Sequence, residues 1–201
     1  MSDFSRKILI VFAVMTMQVL GAASLRAQDS IVADEEQRAR DYFTNLELVN
    51  QDGQTVRFFD DVLKDKVVVI NFIFTNCEGA CPLMTHKLTL VRDKLEGNIG
   101  NPIQFVSLSL DPKRDTPTAM KEFAQTHDAD HEGWVFLTGN AENLDTIIKK
   151  LGQFTDDMEA HSTMMLAGNV NAAHWIKILP QEQPPAIAEK LRDLISDGES
   201  S

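Results

Sequence analysis

Two cysteines separated by three residues are the most reactive feature of the sequence. Cys77 and Cys81 are the only cysteines in the chain, and Pro82 directly follows the second. Residues at positions i and i+4 of a helical turn face the same way, so two thiolates at this spacing can converge on one metal ion. A disulfide closing so small a loop removes little chain entropy from the unfolded state. The pair therefore predicts a metal-binding or thiol–disulfide exchange site rather than a structural bridge.

The chemistry of this pair favours a soft metal ion. Cys81 is expected to lie at a helix N-terminus, where the dipole and the free N–H groups stabilise a thiolate. Gly79 allows the intervening loop to fold so that Cys77 can join it. Thiolates favour Cu(I), and an added imidazole gives a site that also holds Cu(II). A complete mononuclear copper site is therefore expected to include a histidine.

One of the five histidines is expected to reach the cysteines. His161 directly precedes a predicted strand, and in a thioredoxin-type sheet the loop that leads into this strand faces the cysteine pair. Redox thioredoxins carry a cis-proline there, whereas this chain has no proline between Pro117 and Pro180. His161 is therefore the expected third metal ligand. The other histidines are interpreted as exposed, loop or packing residues: His86, His127, His131 and His174.

The elements that position these residues alternate between strands and helices. Residues 67–74 (VVVINFIF) form a β-branched and aromatic run that is typical of a strand buried on both faces, and the cysteines follow it. The alternation predicts an α/β, thioredoxin-like fold, with a central mixed sheet flanked by helices and an N-terminal β-hairpin. Strands are predicted at 46–49, 55–58, 67–74, 103–110, 134–137, 162–166 and 173–179, with a turn at Gly168-Asn169 between the last two. Helices are predicted from Pro82 to Gly97 and at 117–127, 141–151 and 185–196.

Residues 1–27 are interpreted as a signal peptide. Arg6 and Lys7 precede an apolar run at 8–20, and small residues follow. The run is shorter than the roughly 20 residues of a membrane-spanning helix, so cleavage near Ala23 or Ala27 is expected, and an uncleaved segment would act as a membrane anchor. The predicted location is the periplasm or the outer face of the inner membrane. The remainder is divided into a leader at 28–44, a thioredoxin-like copper-binding domain at 45–196 and a tail at 197–201.

Composition and charge exclude some functions. The chain has 201 residues, of which 43% are hydrophobic and 24% charged, as is typical of a globular protein. Its formal net charge is −11, and its lysines and arginines form no cluster, so nucleic acid is not expected as a partner.

Three features together resemble the SCO/SenC family of copper chaperones. They are the C-x-x-x-C-P motif at 77–82, the segment DPKRDTP at 111–117, and His161-Ser162 ahead of a strand. Within DPKRDTP, Arg114 is expected to pair with Asp115, and Thr116 to cap a helix. The resemblance covers residues 46–195. It implies a thioredoxin fold, one copper ion held by Cys77, Cys81 and His161, and a role in building the dinuclear copper centre of cytochrome c oxidase.

The resemblance also implies partners: the copper-bearing subunit of the oxidase or its apoprotein, and other copper carriers. Family members usually have Asp before the histidine, whereas this chain has Ala160. An alternative function remains open, that of a thiol–disulfide oxidoreductase which reduces the cysteines of a copper-site apoprotein through Cys77 and Cys81. His161 separates the two functions, because a reductase has no evident need for it.

Overall fold

The protein is a mixed α/β structure in the computed structural model, which describes residues 33–95, 97, 99–153 and 163–199. The strands are β1 Glu47–Asn50, β2 Thr55–Arg57, β3 Val67–Ile73, β4 Ile103–Ser109, β5 Trp134–Thr138, β6 Met165–Asn169 and β7 His174–Ile178. The helices are α1 at 33–43, α2 Ala80–Leu95, α3 Pro117–Thr126, α4 Ala141–Lys150 and α5 Pro184–Glu199, with a π-helical turn at Phe58–Leu63. Among the described residues, no helix has the length and apolar character needed to cross a membrane. The predicted signal peptide at 1–27 lies outside them.

The seven strands of the described residues form one sheet in the order β2-β1-β5-β4-β3-β6-β7. β3 pairs in parallel with β4 and antiparallel with β6, so the sheet is mixed. β1 and β2 form the N-terminal antiparallel hairpin. These pairings and the flanking helices confirm the predicted α/β, thioredoxin-like fold with a central mixed sheet.

Strand β3 lies inside the sheet with every residue buried, as its unbroken apolar pattern predicts. Val67, Val69 and Ile73 point to one face, where they share a core with residues of α2, α3 and α5. Val68 and Ile70 alternate with them, face the opposite side and are also buried. Burial on both faces fixes the position of the strand that leads into the cysteine pair.

The predicted turn at Gly168-Asn169 is wrong. Both residues belong to β6, where Gly168 pairs with Trp175, and the chain reverses over residues 170–173. A Cβ atom on Gly168 would lie 2.4 Å from the Trp175 ring. The glycine is therefore required because the indole packs directly over the strand, not because the chain turns there.

The end of the sheet that carries the cysteines also carries DPKRDTP. Cys77 and Cys81 follow the carboxyl end of β3, and the DPKRDTP segment follows β4. Because these strands are parallel neighbours, their carboxyl ends meet at the same edge of the sheet. Two segments far apart in sequence are thereby brought to one site.

Candidate metal centre

Cys77 and Cys81 lie together, as their spacing predicts. Cys77 is half-buried in the loop after β3, and Cys81 is 2% exposed in the first turn of α2. The backbone N–H of Cys81 donates to the sulfur of Cys77 over 3.3 Å. Neither cysteine forms a disulfide in the structure.

The helix N-terminus acts on Cys77. Partial burial raises the pKa of the Cys77 thiol, but hydrogen bonds to its sulfur from the backbone of Cys81, Gly79 and Ala80 and from the Cys81 side chain outweigh this effect. The net pKa lies below the ordinary value, because these donors stabilise the thiolate. Cys77 is the accessible and more acidic thiol of the pair.

The expectation that the helix N-terminus would favour a thiolate at Cys81 is wrong. Burial raises the pKa of Cys81 to about 12; a backbone hydrogen bond with Phe74 opposes this, and the neighbouring Cys77 and Asp115 add to it. The physical reason is that α2 begins at Ala80 and its first turn directs the Cys81 side chain into the core. The free N–H groups of that turn face Cys77 instead.

Asp115 holds the loop that leads to the cysteines. Its side chain is fully buried and accepts hydrogen bonds from the Thr75 backbone N–H at 2.8 Å and the Thr75 hydroxyl at 2.7 Å. Its other oxygen accepts from the Ser109 hydroxyl at 2.5 Å. The predicted Arg114–Asp115 pair is wrong: Arg114 pairs with Asp111, because Asp115 points into the protein.

The predicted cap of α3 is confirmed, since Thr116 accepts a hydrogen bond from the Ala119 N–H at 3.2 Å. Together with the Asp115 contacts, the cap explains why DPKRDTP is a compact structured segment. The role of Asp115 in holding the cysteine loop is not evident from the sequence, where Asp111 and Asp115 are equally plausible.

A small cavity lies next to Cys81. Its lining comes from β3, from the first turn of α2 and from the segment before β6: Asn71, Phe72, Ala80, Cys81, Met84, Thr163 and Met164. Sequence reasoning missed Asn71, although one polar residue in the otherwise apolar run VVVINFIF is a signal that could have drawn attention to it.

His161, the predicted third ligand, lies outside the described residues. The described chain resumes at Thr163, which lines the same cavity as Cys81. Among the described residues, no group of three or more His, Cys, Asp or Glu is arranged to hold a metal ion.

The other four histidines are exposed or have local partners. His86 is exposed on α2, and the His127 ring packs against Phe123 with centroids 4.4 Å apart. His131 lies 3.2 Å from Asp128, and His174 lies 2.7 Å from Asp197. These positions agree with the interpretation of the four as exposed, loop or packing residues.

The site and fold define a thioredoxin-like protein with two free, neighbouring cysteines at the end of a central strand. The family model described as SCO1/SenC matches residues 34–196. The chain therefore belongs to the SCO1/SenC family.

Similar sequences come from several bacteria. The chain is 32% identical over 159 residues to the SCO2-like protein RC0895 of Rickettsia conorii, covering 74% of this chain and 75% of that one. It is 40% identical over 95 residues to the SCO1 protein homolog of Bacillus subtilis, which is 47% of each chain. A Stutzerimonas stutzeri protein whose name refers to copper binding is 34% identical over 107 residues, or 53% of this chain and 50% of that one. The chain thus spans about half the length of the last two relatives.

Two solved structures of Sco-type proteins are similar to this chain in fold. A SCO1/SenC family lipoprotein from Bacillus anthracis has a TM-score of 0.66 and 29% identity, covering 76% of this chain and 94% of that one. BsSco, described as having a disulfide switch and as a member of the Sco family of cytochrome c oxidase assembly proteins, has a TM-score of 0.65 and 25% identity. The latter match covers 77% of this chain and 93% of BsSco.

Proposed function

We propose that the protein is an exported copper carrier that holds one copper ion through Cys77, Cys81 and His161 and delivers it to the copper centre of cytochrome c oxidase. The observation that carries the proposal is the pair of free cysteines beyond the carboxyl end of β3, where the Cys81 backbone N–H donates to the Cys77 sulfur. Membership of the SCO1/SenC family, the copper-binding name of one relative and the assembly role stated for BsSco support it.

The donor set suits copper. Two neighbouring sulfur donors, one from the loop after β3 and one from the first turn of α2, select Cu(I), and an imidazole would extend the site to Cu(II). Thr163 lines the cavity beside Cys81, so the chain two residues after His161 is close to the thiols. This proximity supports His161 as the third ligand.

The unequal thiols suit a carrier. Cys81 is buried and holds its proton up to a high pH, so copper must displace that proton and binding should weaken in acid. Cys77 is half-buried and therefore open to an incoming ligand from a partner. We infer that a partner, the copper-bearing subunit or its apoprotein, approaches the metal from the Cys77 side.

The export part of the proposal rests on residues 1–27. Processing at the proposed sites leaves a mature chain that begins near Ser24 or Gln28. Intact-mass measurement on protein from its native compartment tests this, and a full-length chain in the membrane fraction would contradict cleavage. The Bacillus anthracis relative is described as a lipoprotein, which is an exported class of protein and supports the export proposal.

The test of copper binding is metal stoichiometry on protein purified under reducing conditions. The parent should bind one copper ion, Cys81→Ser should lose both Cu(I) and Cu(II), and His161→Ala should lose Cu(II) much more than Cu(I). His86→Ala is the matched control because His86 is an exposed histidine on the helix that carries Cys81, and it should bind as the parent does. If His161→Ala binds Cu(II) like the parent, the third ligand is wrong.

Thiol–disulfide exchange is the second candidate, favoured by the contrast between an accessible acidic thiol and a buried one. The Cys77 thiolate would attack a partner disulfide and release one partner thiolate. Cys81, after losing its proton, would then attack Cys77 and release the second partner thiolate. The products are a Cys77–Cys81 disulfide and a partner dithiol, so two electrons pass to the partner. The disulfide switch described for BsSco supports this chemistry.

A further inference from the structure

A chain of buried hydrogen bonds fixes the orientation of the Asn71 amide. The indole N–H of Trp134 donates to the Ser107 hydroxyl at 3.0 Å, and this hydroxyl donates to Oδ1 of Asn71 at 2.7 Å. The hydroxyl accepts the indole N–H on one lone pair and directs its single hydrogen to the amide oxygen of Asn71. In this arrangement the amide oxygen faces Ser107, and the amide NH2 group faces away from it.

The amide NH2 group of Asn71 lacks a hydrogen-bond partner among the residues that the structure describes. The residue is only 3% exposed, and it lies in the middle of β3 among apolar neighbours. An unpaired buried donor is costly, and folded proteins retain few of them. Asn71 also lines the small cavity that Cys81 lines.

We propose that Asn71 is a positioning residue of the copper site, which donates its amide N–H to the Cys81 sulfur when that sulfur is bound to copper. The inference rests on the proposed function. A copper-bound cysteine sulfur is a negatively charged acceptor inside a buried site, and a donor preoriented by Ser107 and Trp134 compensates for its lost hydration.

A hydrogen bond to a metal-bound sulfur also changes the metal. It withdraws electron density from the sulfur, which favours Cu(I) over Cu(II) and raises the energy of the sulfur-to-Cu(II) charge-transfer absorption. Loss of the donor should weaken copper binding and move this absorption to longer wavelength. A purely structural role for Asn71 would leave the wavelength unchanged.

The variant Asn71→Leu tests the proposal, since leucine has a similar volume and no donor. Cu(I) affinity is measured by competition with a chromogenic Cu(I) chelator, and the charge-transfer maximum is measured on the Cu(II) form. We expect Asn71→Leu to bind Cu(I) about 10–100-fold more weakly, the usual effect of losing a group that orients a metal ligand. The maximum should move to longer wavelength.

Thr138→Val is the matched control. Thr138 is buried on β5 of the same sheet, its hydroxyl oxygen also lacks a partner among the described residues, and it does not line the cavity. Its affinity and absorption maximum should equal those of the parent. Ser107→Ala removes the hydroxyl that orients the Asn71 amide but keeps the amide itself. It should therefore weaken Cu(I) binding and move the absorption maximum to longer wavelength, each by less than Asn71→Leu does.

If Asn71→Leu binds Cu(I) as tightly as the parent and its absorption maximum is unshifted, the role of Asn71 is wrong. The copper-carrier proposal is then unaffected. A parent protein that binds no copper overturns both. If Asn71→Leu does not fold, Ser107→Ala decides: a shift to longer wavelength supports the role of Asn71, and an unchanged maximum overturns it.

Discussion

Replacing Asp115 should separate its role in the fold from its effect on the cysteines. The buried carboxylate accepts two hydrogen bonds from Thr75 and one from Ser109. Asp115→Ala removes the acceptor and leaves the buried Ser109 hydroxyl and the two part-buried Thr75 donors without this partner. Asp115→Asn keeps an oxygen for Thr75 and places an NH2 group opposite Ser109, whose hydroxyl can turn to accept it.

The two variants should lower the free energy of unfolding by different amounts. A stranded buried donor costs about 1–3 kcal/mol, and partial entry of water limits the sum for Asp115→Ala to roughly 3–5 kcal/mol. Asp115→Asn inverts a single hydrogen bond, so we expect a loss of about 1–2 kcal/mol. The larger loss would remove much of the roughly 5–15 kcal/mol that stabilises a typical domain.

Equilibrium unfolding in urea measures these losses, with Asp111→Asn as the control. Asp111 lies on the same loop and pairs with the half-exposed Arg114, so its replacement should cost no more than about 1 kcal/mol. Both Asp115 variants should also lower the pKa of Cys81, since they remove a nearby negative charge, and its alkylation should become faster near pH 9. An Asp115→Ala protein as stable as the Asp111→Asn control would show that the hydrogen bonds of Asp115 do not stabilise the fold.

Three further predictions concern the thiols and one glycine. Alkylation of the apoprotein followed by mass spectrometry should modify Cys77 first, with a rate midpoint below its ordinary pKa near 9, while Cys81 reacts only as the pH approaches about 12. Because the folded Cys81 keeps its proton above the pKa of the unfolded thiol, the free energy of unfolding should fall between pH 9 and 12, and by less in Cys81→Ser. Gly133→Ala should destabilise the protein much more than Gly53→Ala in thermal unfolding. Both glycines have positive φ, +80° and +78°, so both substitutions strain the backbone. Only at Gly133 would the new Cβ also lie 2.2 Å from a backbone atom, the Gly100 nitrogen. Equal losses for the two glycine variants would mean that this close approach is not rigid.

Much of the fold could be predicted because the burial of a segment determines how its apolar and polar residues are arranged in the sequence. Val67–Ile73 has no polar alternation, which only an internal strand tolerates, and the structure places it inside the sheet. The reversal after β6 was mispredicted because Gly168 has two physical uses, a turn or a surface for an aromatic ring. Only the pairing with Trp175 shows which one applies.

The cysteine spacing predicts the location of the site, but it does not predict the burial or the pKa of each thiol. The C-x-x-x-C spacing correctly brings Cys77 and Cys81 together. Which thiol is acidic depends on where α2 begins and which side of its first turn faces the core. Asn71 and Asp115 owe their importance to hydrogen bonds across the sheet edge, which no local pattern reports.

X-ray absorption at the copper edge of the Cu(I)-loaded protein, in the parent and in His161→Ala, identifies the copper ligands. We expect two sulfur ligands and one imidazole nitrogen in the parent, and the same two sulfurs without the imidazole in His161→Ala. A first shell without sulfur would contradict a copper site at Cys77 and Cys81. An imidazole signal that persists in His161→Ala would show that another histidine completes it.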